Sequence, residues 1–232
     1  MLMTSPELRH TLSAFDEEIG RLRGQVEAMG ERAAGAVDRA LQAIATGDLA
    51  LARQVVAEDD LLDEAQIAIE KLVVTTMALR SPMADDLRLL VAALRVAAVL
   101  ERVGDYAKNV ARRAESVAGA PQQAALPAIA AMGRDAAEMV RMAVAAFIQR
   151  DVDAAREVVA RDDRVDGAWR GLRRDLAEGT SARSGGTGIA LDLLLVGQHL
   201  ERIGDHATNI AEAVYLMVTG ERMRQAELEA AA

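Results

Sequence analysis

A chain of 232 residues is long enough to bury a core, and 2% aromatic content with few β-branched residues beside Ala, Leu, Arg, Glu and Asp points away from a sheet protein. A formal net charge of −9 withholds the basic footprint that a nucleic-acid backbone requires, so no nucleic-acid partner is expected. With no cysteine and only His10, His199 and His206, disulfides and thiolate sites are excluded and an imidazole-rich zinc site has little material.

Met1 to His10 lacks the apolar stretch of a signal peptide. The most apolar run, Leu87 to Leu100, is broken by Arg88 and Arg95 and is too short for a bilayer, so no direct membrane insertion is expected. The expectation is a soluble, cytoplasmic protein. Ser5-Pro6 suits a helix N-cap with proline in the first turn. The helix it opens carries Leu8, Leu12, Phe15, Ile19, Leu22, Val26 and Met29 at helical spacing and runs to about Thr46. Thr46-Gly47-Asp48 reads as a stop and a restart, Gly closing one helix and Asp capping the next. A second helix is predicted from about Leu49 to Leu79, with Val55, Leu62, Ala65, Ile69 and Leu72 inward. Ser81-Pro82 breaks it, and a third runs to about Val117. Gly119-Ala120-Pro121 is the natural boundary.

Beyond that boundary the plan repeats. Met132-Gly133, Ala136-Ala137, Val140, Ala143 and Ala146 answer to Met29-Gly30, Ala33-Ala34, Val37, Ala40 and Ala43, and the stretch Arg156 to Asp166 answers to Arg53 to Asp63. The clearest repeat is Leu100 to Ala111, LERVGDYAKNVA, against Leu200 to Ala211, LERIGDHATNIA. Self-similarity at a long fixed spacing marks a duplicated structural unit. The second copy is three residues shorter between Asp166 and Leu200, and the Gly-rich stretch Gly179 to Gly188 is the loop expected to absorb the loss and to be mobile. The fold class is therefore all-α: two tandem, pseudo-symmetric three-helix bundles, residues 1–119 and 120–222, with a charged, Ala-rich tail at 223–232, standing end to end or side by side as an elongated rod.

Within each repeated block apolar residues alternate at spacings of four and three: Val96, Leu100, Val103, Ala107, Val110, Ala114 and Val117, then Val196, Leu200, Ile203, Ala207, Ile210, Val214 and Met217. If this stripe faces inward, Glu101, Asp105, Asn109 and Glu201, Asp205, Asn209 share one outward flank, since i and i+4 lie on one helix face. Acid pairs at the same four-residue spacing recur at Asp59/Asp63 and Asp162/Asp166. Like charges so spaced cost a helix a few tenths of a kcal/mol. Two such pairs on neighbouring helices repel unless a cation lies between them, and hard ions favour carboxylate and amide oxygens. Gly104 and Gly204 each cost a helix roughly 1 kcal/mol, so something is expected to approach the backbone there, a neighbouring helix or a hydrated ion. The bland alternative is a solvated polar face, with Arg102 and Arg202 neutralising the acids as ordinary surface pairs. Glu7-x-x-His10 has di-iron ligand spacing but occurs once, where that fold needs it twice. Trp169 reads as a core filler, and His199 and His206 as surface or interface histidines. No phosphate loop, nucleophile elbow or triad order is visible.

Phe15-Asp16-Glu17-Glu18-Ile19 with Met29-Gly30, the two R-x-V-V-x-x-D-D-x-[LV]-D stretches, Arg80-Ser81-Pro82 with Asp86-Leu87-Arg88, and the twin L-E-R-[VI]-G-D blocks resemble the PhoU family, accessory regulators of phosphate-specific transport. The resemblance covers Phe15 to Glu221 in order. It implies two three-helix bundles with metal clusters on their surface. One site would use Asp59, Asp63, Glu101, Asp105 and Asn109, the other Asp162, Asp166, Glu201, Asp205 and Asn209. The ions implied are Mg, Mn, Fe or Zn, their identity open. It implies a cytoplasmic negative regulator of phosphate uptake and of the phosphate-starvation response, not an enzyme. Its partners would be the phosphate ABC transporter's ATPase subunit and a phosphate-sensing histidine kinase, and it would act as a homodimer. Tyr106 against His206 and Lys108 against Thr208 depart from perfect symmetry, so the two sites are expected to differ in occupancy. Two other readings stay open: a carboxylate-bridged, metal-dependent bundle enzyme, which the single ExxH argues against, and a structural scaffold whose acids only solubilise it.

Overall fold

A computed structural model describes residues 6–117, 125–181 and 187–223, with the side chains of 6–14, 179–181 and 187 outside the description. Among the described residues the chain is helical, with no strand. Helix α1 (Pro6–Thr46) begins at the proline and ends where Gly47 takes a left-handed φ of 69°. Asp48 then caps α2 (Leu49–Ala57), its Oδ1 accepting from the Ala50 and Leu51 amides at 3.0 Å. Removing that cap, Asp48→Ala, is expected to cost about 1 kcal/mol in urea denaturation, the usual worth of such a residue.

The predicted second helix is in fact two. Helix α3 (Asp60–Arg80) restarts after a tightened turn at Glu58-Asp59, where the Leu61 and Leu62 amides donate to the Glu58 and Asp59 carbonyls. The Glu58 carboxylate accepts from Arg39 of α1 at 3.0 Å and from Gln54 at 2.7 Å. Ser81, at φ 48°, ends α3 just before Pro82. Helix α4 (Asp85–Arg112) carries the first repeated block, and a break at Arg113 separates it from the short α5 (Ala114–Val117). The second half is smoother: α6 (Leu126–Gln149), α7 (Val152–Ser181) and α8 (Thr187–Thr219). The expected loop Gly179 to Gly188 is therefore shorter than read. Helix reaches Ser181 and resumes at Thr187, and residues 182–186, like Gly119-Ala120-Pro121 and the tail from 224 onward, lie outside the described residues.

All fourteen stripe residues from Val96 to Val117 and from Val196 to Met217 are buried, as their period requires. The bundle of α1 to α5 lies side by side with that of α6 to α8, joined along two antiparallel seams, α1 on α6 and α4 on α8. In the first seam Gly30 receives Val144 and Gly133 receives Leu41, positions that correspond in the duplicated halves, so a pseudo-two-fold runs between them. Arg141 reaches across it to Asp38 and, at 3.7 Å, to Glu31. In the second seam Arg113 meets Asp192 at 2.7 Å, and Arg88 donates to the Met217 carbonyl at 3.1 Å. Among the described residues no helix is long and apolar enough to cross a membrane.

Candidate metal centre

Helix packing places the repeated acids in two clefts, between α3 and α4 and between α7 and α8. In the first, Asp59 sits at the α2–α3 turn, and Gly104 lets it close on α4: a Cβ there would overlap Leu62 and lie 3.5 Å from Asp59 Oδ1. The close approach expected at this glycine is thus that of the neighbouring helix. Lys108, three residues beyond Asp105 on the same flank, donates from its ammonium to both Asp59 and Asp105, the latter at 2.8 Å. One cation therefore touches carboxylates from two helices. Those bonds hold the Lys108 ammonium above its ordinary pKa, Asp105 contributing most. Burial pushes the Glu101 carboxyl up, and Asp105, Asp63 and Asp59 reinforce the shift. Asp59 and Glu101 are not turned to open solvent as the expected outward flank would have them, whereas Asp63 is exposed and the Asp105 side chain is 43% exposed. Asp59 is 10% exposed and Glu101 24%, because the flank beside the stripe faces the adjacent helix.

The second cleft repeats the donors without the lysine. A Cβ on Gly204 would lie 3.0 Å from Asp162 Oδ1, and that oxygen is wholly buried with no hydrogen-bond partner. Burial first, then Asp166, Asp205, Asp163 and Glu201, push the Asp162 carboxyl up to about 7. Glu201 is raised by burial and by Asp205. Thr208, in the place of Lys108, turns its hydroxyl to the Asp205 carbonyl at 2.6 Å. The arginines play part of the neutralising role considered from sequence. Arg202 donates to Asp205 Oδ2 at 3.2 Å, while Arg102 comes only within 3.9 Å of Glu101. Asn109 Oδ1 accepts from Arg112 at 3.3 Å, while Asn209 meets His206 Nδ1 at 3.4 Å through its amide nitrogen, not its oxygen.

These residues fit a hard cation in three respects: a buried carboxylate oxygen without a donor, a glycine whose missing Cβ leaves room for it, and, in the first cleft, an ammonium standing in a cation's place. Among the described residues no three His, Asp or Glu side chains close into a finished cage.

His199 and His206 lie at the α4–α8 seam, on either side of Tyr106, with ring centroids 5.6 and 5.4 Å from it. Burial lowers both of their pKa values. They are interface histidines, one of the two expected placements. Trp169 is half-buried and packs into the notch at Gly197, where a Cβ would stand 2.6 Å from its ring. The Glu7 and His10 side chains are outside the description. What sequence reading missed is the work of Lys108, seen there only as a departure from symmetry. Its i,i+3 spacing from Asp105 was the available signal.

The family model described as the PhoU domain matches residues 26–114 and again 129–214. A phosphate-specific transport system accessory protein PhoU homolog of Zymomonas mobilis is 38% identical, over 94% of this chain and 92% of that one. A homolog so named in Caulobacter vibrioides is 39% identical over 92% and 94%. The crystal structure of PhoU from Pseudomonas aeruginosa superposes with a TM-score of 0.85 at 33% identity, covering 89% of this chain and all of that one.

Proposed function

We propose that this chain, because it belongs to the PhoU family, is an accessory protein of phosphate transport, and more specifically a negative regulator of phosphate uptake and of the phosphate-starvation response. The observation that carries the reading is that both halves match the PhoU domain, with one L-E-R-[VI]-G-D block and one facing acid pair in each. In this reading the protein is cytoplasmic and homodimeric. It joins the transporter's ATPase subunit to the phosphate-sensing histidine kinase and performs no catalysis. A phosphate signal reaches it as a change in transporter conformation, and its binding biases which state the kinase occupies. Only a difference in affinity between those states is needed.

The clefts add a metal-binding role. Asp162, Asp166, Glu201 and Asp205 supply hard oxygen donors for Mg²⁺, Mn²⁺, iron or zinc, with Asn209 at the rim, and Asp59, Asp63, Glu101, Asp105 and Asn109 are their counterparts in the first half. An ion held by these residues would offset the crowding of carboxylates from two helices and so would tie α7 to α8. The regulatory reading is tested by pull-downs of the purified chain with the ATPase subunit and with the kinase's cytoplasmic part, at high and low phosphate. Retention of both is expected, with phosphate shifting the ratio. Failure to retain either at any phosphate level would overturn it.

A further inference from the structure

We infer that the two clefts are unequal by construction: the first carries its own cation, the Lys108 ammonium, and only the second takes a metal ion. This rests on the metal-binding role proposed above and assigns it to one half of the duplicated molecule.

In the first cleft the ammonium bonds Asp59 and Asp105, with its side chain only 20% exposed. It is tethered three residues from one of its partners, so it competes with a free ion at a high effective concentration. A divalent ion entering there has to break two charge-assisted hydrogen bonds and return the ammonium to water. The α2–α3 turn sharpens the arrangement, because it sets Asp59 against Gly104 and within reach of the lysine.

In the second cleft the matching residue, Thr208, brings no charge and spends its hydroxyl on its own helix. Helix α7 runs unbroken through Asp162, and the carboxylate in the place of Asp59 keeps a wholly buried oxygen with no donor. Arg202 serves Asp205 at 3.2 Å and Glu201 at 3.6 Å from a half-exposed position, leaving Asp162 and Asp166 without an ion-paired cation among the described residues. The matching carboxylates thus meet a largely buried ammonium on Asp59 and Asp105 in one half, and in the other only the half-exposed Arg202, which does not reach Asp162 or Asp166. Divalent metal supplies what Lys108 supplies, and a single Lys/Thr exchange decides which cleft needs it.

The experiment uses the full chain, stripped with chelator, and Mn²⁺ as the probe in equilibrium dialysis and electron paramagnetic resonance. Wild type is expected to bind Mn²⁺ at one cleft only. Lys108→Thr, and Lys108→Gln as a second removal of the ammonium, are expected to double the bound Mn²⁺. Thr208→Lys and Asp162→Asn are expected to weaken the wild-type site by roughly 10- to 100-fold or more. Thermal melts confirm that each variant is folded. If wild type already binds equal Mn²⁺ at both clefts, if neither Lys108 variant adds any, or if Thr208→Lys leaves binding intact, the inequality is refuted while the metal-binding role stands. If no variant and no wild type binds Mn²⁺, the metal-binding role falls first and this inference with it.

Discussion

Asp162→Asn is expected to stabilise the metal-free protein at pH 8 by on the order of 1–2 kcal/mol and to reduce its dependence on pH. The Asp162 carboxyl, ordinarily near 3.8, is pushed up to about 7 by burial and by the acids around it. A carboxyl whose folded pKa exceeds its unfolded one binds its proton more tightly in the folded state. Above pH 7 both states are ionised and the fold bears the whole cost of the buried charge. As pH falls from 7 towards 3.8 the folded carboxyl takes up its proton first, and stability rises. Below 3.8 both states are protonated and nothing further changes. The interval between 3.8 and about 7 corresponds to about 4 kcal/mol at most, and solvent on one side of the residue cuts it to the smaller figure. Asparagine keeps the shape and removes the charge. Urea denaturation in chelator at pH 8, 6 and 5 checks this: wild type gains stability on acidification, and the variant gains less. Glu101 and Glu201, also raised, leave a residual slope of the same sign. The same change at Asp59 should go the other way, losing about 1 kcal/mol, because there the carboxylate accepts from Lys108. Equal signs at the two positions would mean that the clefts are electrostatically alike.

That contrast marks how far the sequence could be read. The buried stripe was legible because its period is a local property, and all of its residues between Val96 and Val117 and between Val196 and Met217 obey it. The restart at Gly47-Asp48 was legible from turn chemistry alone. The break at Glu58-Asp59 was not, because no glycine or proline marks it; the ion pair of Glu58 with Arg39 on another helix that accompanies it has no local signature. Nor was the extent of α7, since glycine and serine near Gly179 argue weakly against helix and packing beneath Leu172 and Leu176 outweighs them. The acids of the candidate site were all visible through the duplication. Which of them already had a partner depended on that same break, which brings Asp59 to Lys108. The repeat therefore disclosed the location of the chemistry, while its asymmetry needed tertiary structure.

The seam between the bundles offers the other large effect, and it turns on glycines that look alike in sequence. Gly30→Leu and Gly133→Leu are each expected to destabilise by about 1–3 kcal/mol, the usual penalty for forcing extra volume into a packed core. A Cβ at Gly30 would fall 2.7 Å from Val144 Cγ2, and one at Gly133 would fall 2.8 Å from Leu41 Cδ2 with Cδ1 closer still. Val144 and Leu41 are themselves buried, so neither can swing aside freely. The two sites have separate partners, and the double variant should lose roughly the sum. Gly20→Leu and Gly24→Leu, on the same helix α1, meet nothing within 4 Å. There the only change is helix propensity, and a gain of about 0.5–1 kcal/mol is expected. Four denaturation midpoints thus separate packing from propensity, and a gain at Gly30 equal to that at Gly24 would show that α1 does not lie against α6 as described.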